Sequence, residues 1–144
     1  MLFRSSSNGP SQTTYHRTGN PYEAVFGYSR AVKKGPFIFV SGTTSIDPST
    51  GVVQHPTSAY EQANTIFSEI VKAVTTLGGK KEDITRVRMF VTRDEDADGV
   101  GLALKESLGG GEGDRGGPAA TMILGVPFVD KDMRVEIEAD AVVL

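Results

Sequence analysis

Three carboxylates at alternate positions near the C-terminus, Glu136, Glu138 and Asp140, are the first residues of this chain to ask about chemistry. Side chains alternate along an extended strand, so these three share one face of the segment 134–144 while Val135, Ile137 and Ala139 share the other. The segment runs on into Ala141, Val142, Val143 and Leu144, which is the pattern of a strand deep in a sheet rather than at a wetted edge. Carboxylates on such a strand need partners or a polar cavity. Glu136 and Glu138 are therefore site candidates, against the plainer reading of glutamates that pair within a sheet.

The elements that must position them are legible from Tyr28 onward. Segments 29–33 and 37–41 are joined at Lys34-Gly35-Pro36, a turn signal between two strand-like runs, which predicts a hairpin. Between Thr57 and Leu77, the residues Ala59, Ala63, Ile66, Phe67, Ile70, Val74 and Leu77 recur at steps of three and four, the stripe of an amphipathic helix. Ser58 with Glu61 has the spacing of a capping box, and Gly78-Gly79 supplies a left-handed residue to close the helix. Segment 84–92 reads as a strand with Val87, Met89 and Val91 on one side and Arg86, Arg88 and Phe90 on the other. A shorter helix is expected over 96–108, weakened by Gly99 and Gly101, and strands over 118–126 and 133–144. These five strands and two helices in this order predict an α+β fold, expected as a single mixed β-sheet of about six strands with two helices packed on one face. The other face stays open, and strands carrying apolar or pairable groups on both sides predict self-association.

Composition narrows the function classes. The chain has 144 residues, 38% hydrophobic and 23% charged, which suits one domain, expected over 21–144 after a flexible or extended arm over 1–20. A net charge of -3 with no basic run argues against a nucleic-acid partner. No apolar run approaches the length of a membrane span, and the absence of Cys excludes thiolate chemistry. A cytoplasmic location is the default; the leader shares the acid-free, positive character of a mitochondrial presequence through two arginines only, Arg4 and Arg17. His16 and His55 lie far apart with no acid at ligand spacing, so no metal and no cofactor is expected. The glycine-rich run 109–117 lacks the Gly-Lys-Ser/Thr ending of a phosphate loop and reads as a connection.

Five phrases in fixed order remain: Gly27-Tyr28-Ser29-Arg30-Ala31-Val32, Phe39-Val40-Ser41-Gly42, Arg88-Met89-Phe90-Val91-Thr92, Pro118-Ala119-Ala120-Thr121 and Val135-Glu136-Ile137-Glu138-Ala139. Together they resemble the Rid/YjgF family of reactive-intermediate deaminases, once labelled endoribonuclease L-PSP. The resemblance covers about Tyr28 to Leu144. It implies a chorismate-mutase-like fold, a homotrimer, and small-molecule clefts between subunits in which imines and enamines such as 2-aminoacrylate are hydrolysed. It also implies that Tyr28, Ser41 and Glu136 line the cleft, with Glu136 positioning or deprotonating the attacking water and the two hydroxyls donating to substrate or water. Relatives grip a substrate carboxylate with an arginine in a Pro-Ala-Arg-Ser phrase. Here Ala120 stands in its place, followed by Thr121, so poor activity on 2-aminoacrylate is expected, as is the alternative of a non-catalytic binding protein.

Two other arginines could supply a replacement cation. Alternation places Arg88 on the side of its strand away from Val87 and Met89, where it is expected either to anchor an anionic ligand or to neutralise Glu136; the plainer reading is a surface or interface ion pair. Arg115 is the weaker candidate, because its glycine-rich setting offers no rigidity.

Overall fold

The computed structural model describes residues 12–111 and 116–144. Its centre is one mixed sheet of six strands: β1 (Thr13–His16), β2 (Ala31–Lys34), β3 (Phe37–Thr43), β4 (Ile84–Val91), β5 (Ala119–Leu124) and β6 (Val135–Val142), in the spatial order β1-β2-β3-β6-β4-β5. All neighbours are antiparallel except β4 and β5. The β2–β3 hairpin pairs Lys34 with Phe37 across Gly35 and Pro36, and Gly35 has the positive φ of 59° that a two-residue hairpin turn requires. The arm expected over 1–20 is in part a strand, since β1 pairs with β2 from Thr13↔Lys34 to His16↔Ala31. Residues 1–11 lie outside the described residues, as does Arg115.

Two helices, α2 (Ala59–Thr76) and α3 (Ala97–Leu108), cover one face. The seven stripe residues of the long helix are all buried, and with Val87, Met89, Val135, Ile137 and Ala139 they form one apolar core. Each large apolar side chain fully buried here contributes about 1.5–3 kcal/mol. Ser58 accepts from the Glu61 backbone N–H at 3.1 Å, which is half of the expected box; the Ser58 N–H goes to the His55 carbonyl instead. Gly78, at φ 94°, closes the helix in the left-handed conformation.

A third helix, α1 (Pro21–Phe26), was not expected, being too short for any periodic pattern. Its end signals are present all the same: the Asn20 side chain accepts from Tyr22 N–H at 3.0 Å, Pro21 begins the first turn, and Gly27 ends it at φ 73°.

The uncovered face carries Tyr15, Val32, Phe39 and Asp140 in one cross-strand row and Glu136, Phe90 and Ile123 in another. Phe37 and Phe39 stand about half exposed on it, with their rings 6.3 Å apart. No helix of the described residues is long and apolar enough to cross a membrane.

Candidate functional site

At the end of the sheet where β6 begins, a cavity of about 300 Å³ opens between α1, the bulge of β3 and the loop that leads into β6. Its walls include Tyr22 and Phe26 from α1, Tyr28, Arg30, Gly42, Thr44, Pro127, Phe128, Val129, Met133 and Glu136. The volume suits a small organic molecule.

Local rules explain how each wall is held. The β3–β6 register shifts between Val40 and Thr43, so the chain bulges at Ser41 and Gly42 just opposite the start of β6. Gly42 comes so close to Glu136 that a Cβ there would lie 2.8 Å from Oε2 and 3.0 Å from the carboxyl carbon. Glycine lets the backbone rest against that carboxylate, which a side chain at 42 would push aside. The far wall is fixed from both ends. Val126 donates to the Val91 carbonyl at 3.2 Å and accepts from Thr92 Oγ1 at 2.8 Å. Fully buried Gln62 on α2 donates to the Asp132 carbonyl at 2.8 Å and accepts from Arg134 N–H at 2.9 Å.

Glu136 is the titratable centre. Burial raises its pKa above the ordinary 4.5, nearby Arg30 opposes that shift, and neighbouring Glu138 reinforces it. A carboxyl tuned upward beside a cavity is suited to accept a proton from water.

Arg30 is the residue that sequence reasoning missed. It is 3% exposed, and its Nη1 donates to the Gly42 carbonyl at 3.0 Å and to Thr43 Oγ1 at 3.3 Å. Nη2 donates to the Tyr28 hydroxyl at 3.2 Å, and the guanidinium lies 5.4 Å from the centre of the Tyr28 ring. Its Nε is 3.4 Å from Glu23 Oε2, within ion-pair range but without hydrogen-bond alignment to any described residue. Glu23 is 1% exposed and accepts from both the backbone N–H, at 2.8 Å, and the hydroxyl of Thr18. The sequence offers only a weak signal: Arg30 stands two residues from Tyr28, and Glu23 is the first acid of the chain, but no local pattern joins the two.

Of the residues singled out in the sequence, Tyr28 and Glu136 line the cavity. Ser41 is half-buried and outside that lining, with its hydroxyl given to the Ser29 carbonyl at 2.7 Å. Arg88 reaches Glu138 at 3.5 Å and Asp140 at 3.4 Å, not Glu136. Ala120 and Thr121 lie exposed on β5 at the sheet edge. There Ala120 is in register with Val87, on the helix-covered side, and Thr121 with Arg88, on the open side. Among the described residues no group of three His, Asp or Glu side chains is placed to hold a metal ion.

The family model described as endoribonuclease L-PSP matches residues 18–143, nearly the whole chain. The chain belongs to that family. An uncharacterized protein of Streptomyces coelicolor is 30% identical over 125 residues, 87% of this chain and 88% of its own length. A RutC family protein of Pyrococcus abyssi is 28% identical over 114 residues, covering 79% of this chain and 84% of its own. Among solved structures, the Mycobacterium tuberculosis member of the highly conserved YjgF/YER057c/UK114 family superposes with a TM-score of 0.74 at 28% identity, over 92% of this chain and all of that one. A Rid family protein of Yersinia pestis gives a TM-score of 0.76 at 24% identity, over 91% of this chain and 99% of its own, and speaks for the fold. The Rid/YjgF resemblance drawn from the five phrases and the α+β fold drawn from the element order both hold.

Proposed function

We propose that this L-PSP family protein hydrolyses an imine- or enamine-derived metabolite in the cavity beside Tyr28 and Glu136, releasing a carbonyl compound and ammonia. The observation that carries this reading is the Glu136 carboxyl, its pKa raised by burial, set in the wall of a molecule-sized cavity that Tyr28 also lines. On the protonated imine, Glu136 takes a proton from water as the water oxygen bonds to the imine carbon, and the C=N π pair moves to nitrogen, giving a neutral carbinolamine. Glu136 returns that proton to the nitrogen; the freed carboxylate then takes the hydroxyl proton as the C–N bond breaks, giving C=O and ammonia, and the departing ammonia carries that proton away as ammonium. Tyr28 Oη, already accepting from Arg30, is polarised to donate to the bound oxygen or nitrogen.

We take the working form to be a cytoplasmic homotrimer. Among the described residues β5 ends the sheet with one side unpaired, and it exposes Ala119, Ala120, Thr121, Ile123 and Leu124. Packing that edge against a second copy beside its cavity would create a shared cleft, with Ala120 and Thr121 as its far wall and no arginine there. Ammonia release from small imines by purified protein, compared with Glu136→Gln, tests the reaction. Acceleration over buffer that disappears in the variant is expected, with 2-aminoacrylate a poor substrate. Ligand binding without any turnover would favour the second reading, a non-catalytic binding protein, to which the alanine at 120 already lends support.

A further inference from the structure

The charges around the cavity decide what kind of ligand it accepts. Arg30 is the single basic side chain among the described residues lining it. Its charge is balanced by buried Glu23, both Nη atoms already donate, and the group is 3% exposed, so burial and its existing partners keep it from gripping a carboxylate in the cavity. Glu136 then sets the local charge, and beyond it Glu138 is held by Arg88. Apart from the uncharged polar groups of Asn20 and Thr44, the rest of the wall is mostly aromatic or apolar. The Tyr22 and Phe26 rings lie parallel, with 2° between their planes and centres 6.2 Å apart, and Phe128 joins them from the loop. A carboxylate and aromatic rings in the wall of one cavity can together receive a nitrogen cation on an apolar body, because the ring faces are electron-rich and the carboxylate supplies the counter-charge. An anion in the same place would meet Glu136 with no free cation among the described lining residues to offset it.

We infer that the cavity selects a cationic nitrogen compound without a carboxylate, an ammonium or protonated imine carried on a small apolar group. This deepens the hydrolytic reading and rests on the same cavity, but it concerns recognition alone.

Three probes of like shape and different charge test it by calorimetric titration: benzylamine, benzyl alcohol and benzoate. Benzylamine is expected to bind at least about tenfold tighter than the other two, a difference of about 1.4 kcal/mol. Glu136→Gln is expected to bring benzylamine down to the level of benzyl alcohol. Equal binding of amine and alcohol, tighter binding of benzoate, or no binding of any probe would overturn the inference. Ammonia-release assays on the same preparation separate the two ideas. Turnover of carboxylate-bearing imines with no amine preference sinks the recognition claim and leaves the hydrolase. Selective amine binding with no turnover of any imine does the reverse.

Discussion

Two arginines of this protein face paired carboxylates, and their settings are opposite. Arg30 and Glu23 are 4% and 2% exposed in their side chains, enclosed between α1, β2 and the β3 bulge. Arg88 meets Glu138 and Asp140 on the open sheet face, with side chains 40%, 38% and 34% exposed. The separations are nearly the same, 3.4 Å against 3.5 and 3.4 Å, so distance does not distinguish them. Water does. At the open face it screens the attraction and solvates whichever charge is left alone; in the cavity wall a charge that loses its partner has no such recourse. An ion pair's importance is read from the cost of its absence, and that cost follows burial.

The largest expected effect lies on the buried side. Arg30→Met leaves Glu23 charged and enclosed and is expected to lower stability by about 3–5 kcal/mol in chemical denaturation. The double variant with Glu23→Gln should recover much of that loss. If Arg30→Met were no more damaging than Arg88→Met, the contrast between the two pairs would collapse.

Gly42→Ala tests the packing between the pair and Glu136. Its Cβ would stand 2.8 Å from Oε2, so the carboxylate must swing away or the bulge must yield. A loss of about 1–3 kcal/mol is expected, as for overpacking elsewhere. Ligand binding in the cavity should weaken at the same time, which calorimetry on the folded variant would show.

Glu136→Gln should go in the other direction. Because burial raises the folded-state pKa above 4.5, the folded protein holds this proton more tightly than the unfolded chain. Stability from this group is greatest below 4.5 and falls as pH rises toward the raised folded value, above which the penalty is complete. A neutral glutamine escapes that penalty. Melting curves across pH should therefore show the variant more stable than the parent near neutrality and level with it in acid; a constant difference at all pH values would count against a raised Glu136.

The smallest effect is expected at Arg88. Arg88→Met should change the stability of the separate chain by about 0.2–1 kcal/mol, shrinking further in high salt. A much larger, concentration-dependent loss would show that this face is covered in the assembled protein.

How much was legible in the sequence follows the range of the interactions involved. The long helix, the hairpin and the two faces of β6 were readable because each repeats a local period: Ile66 to Val74 at helical steps, Glu136 to Asp140 at strand steps. The helix α1 escaped because six residues contain no full period, although Asn20, Pro21 and Gly27 mark its ends. Strand β1 escaped because Thr13–His16 shows no clear alternation of burial and is a strand by virtue of its pairing with β2. In the cavity wall stand Tyr28 and Glu136, both singled out in the sequence, and Arg30, which was not. Nothing near it in sequence reveals that Glu23, seven residues earlier, folds back to balance it.

The amino-acid order determined which segments are strands and helices and which face of each is apolar, since periodicity is a property of neighbours along the chain. Tertiary structure alone decided which charges meet. It gave Arg88 to Glu138 and Asp140, brought Arg30 to Glu23, and set the Gly42 backbone against Glu136, because electrostatic and packing partners are chosen by separation in space and by exclusion of water.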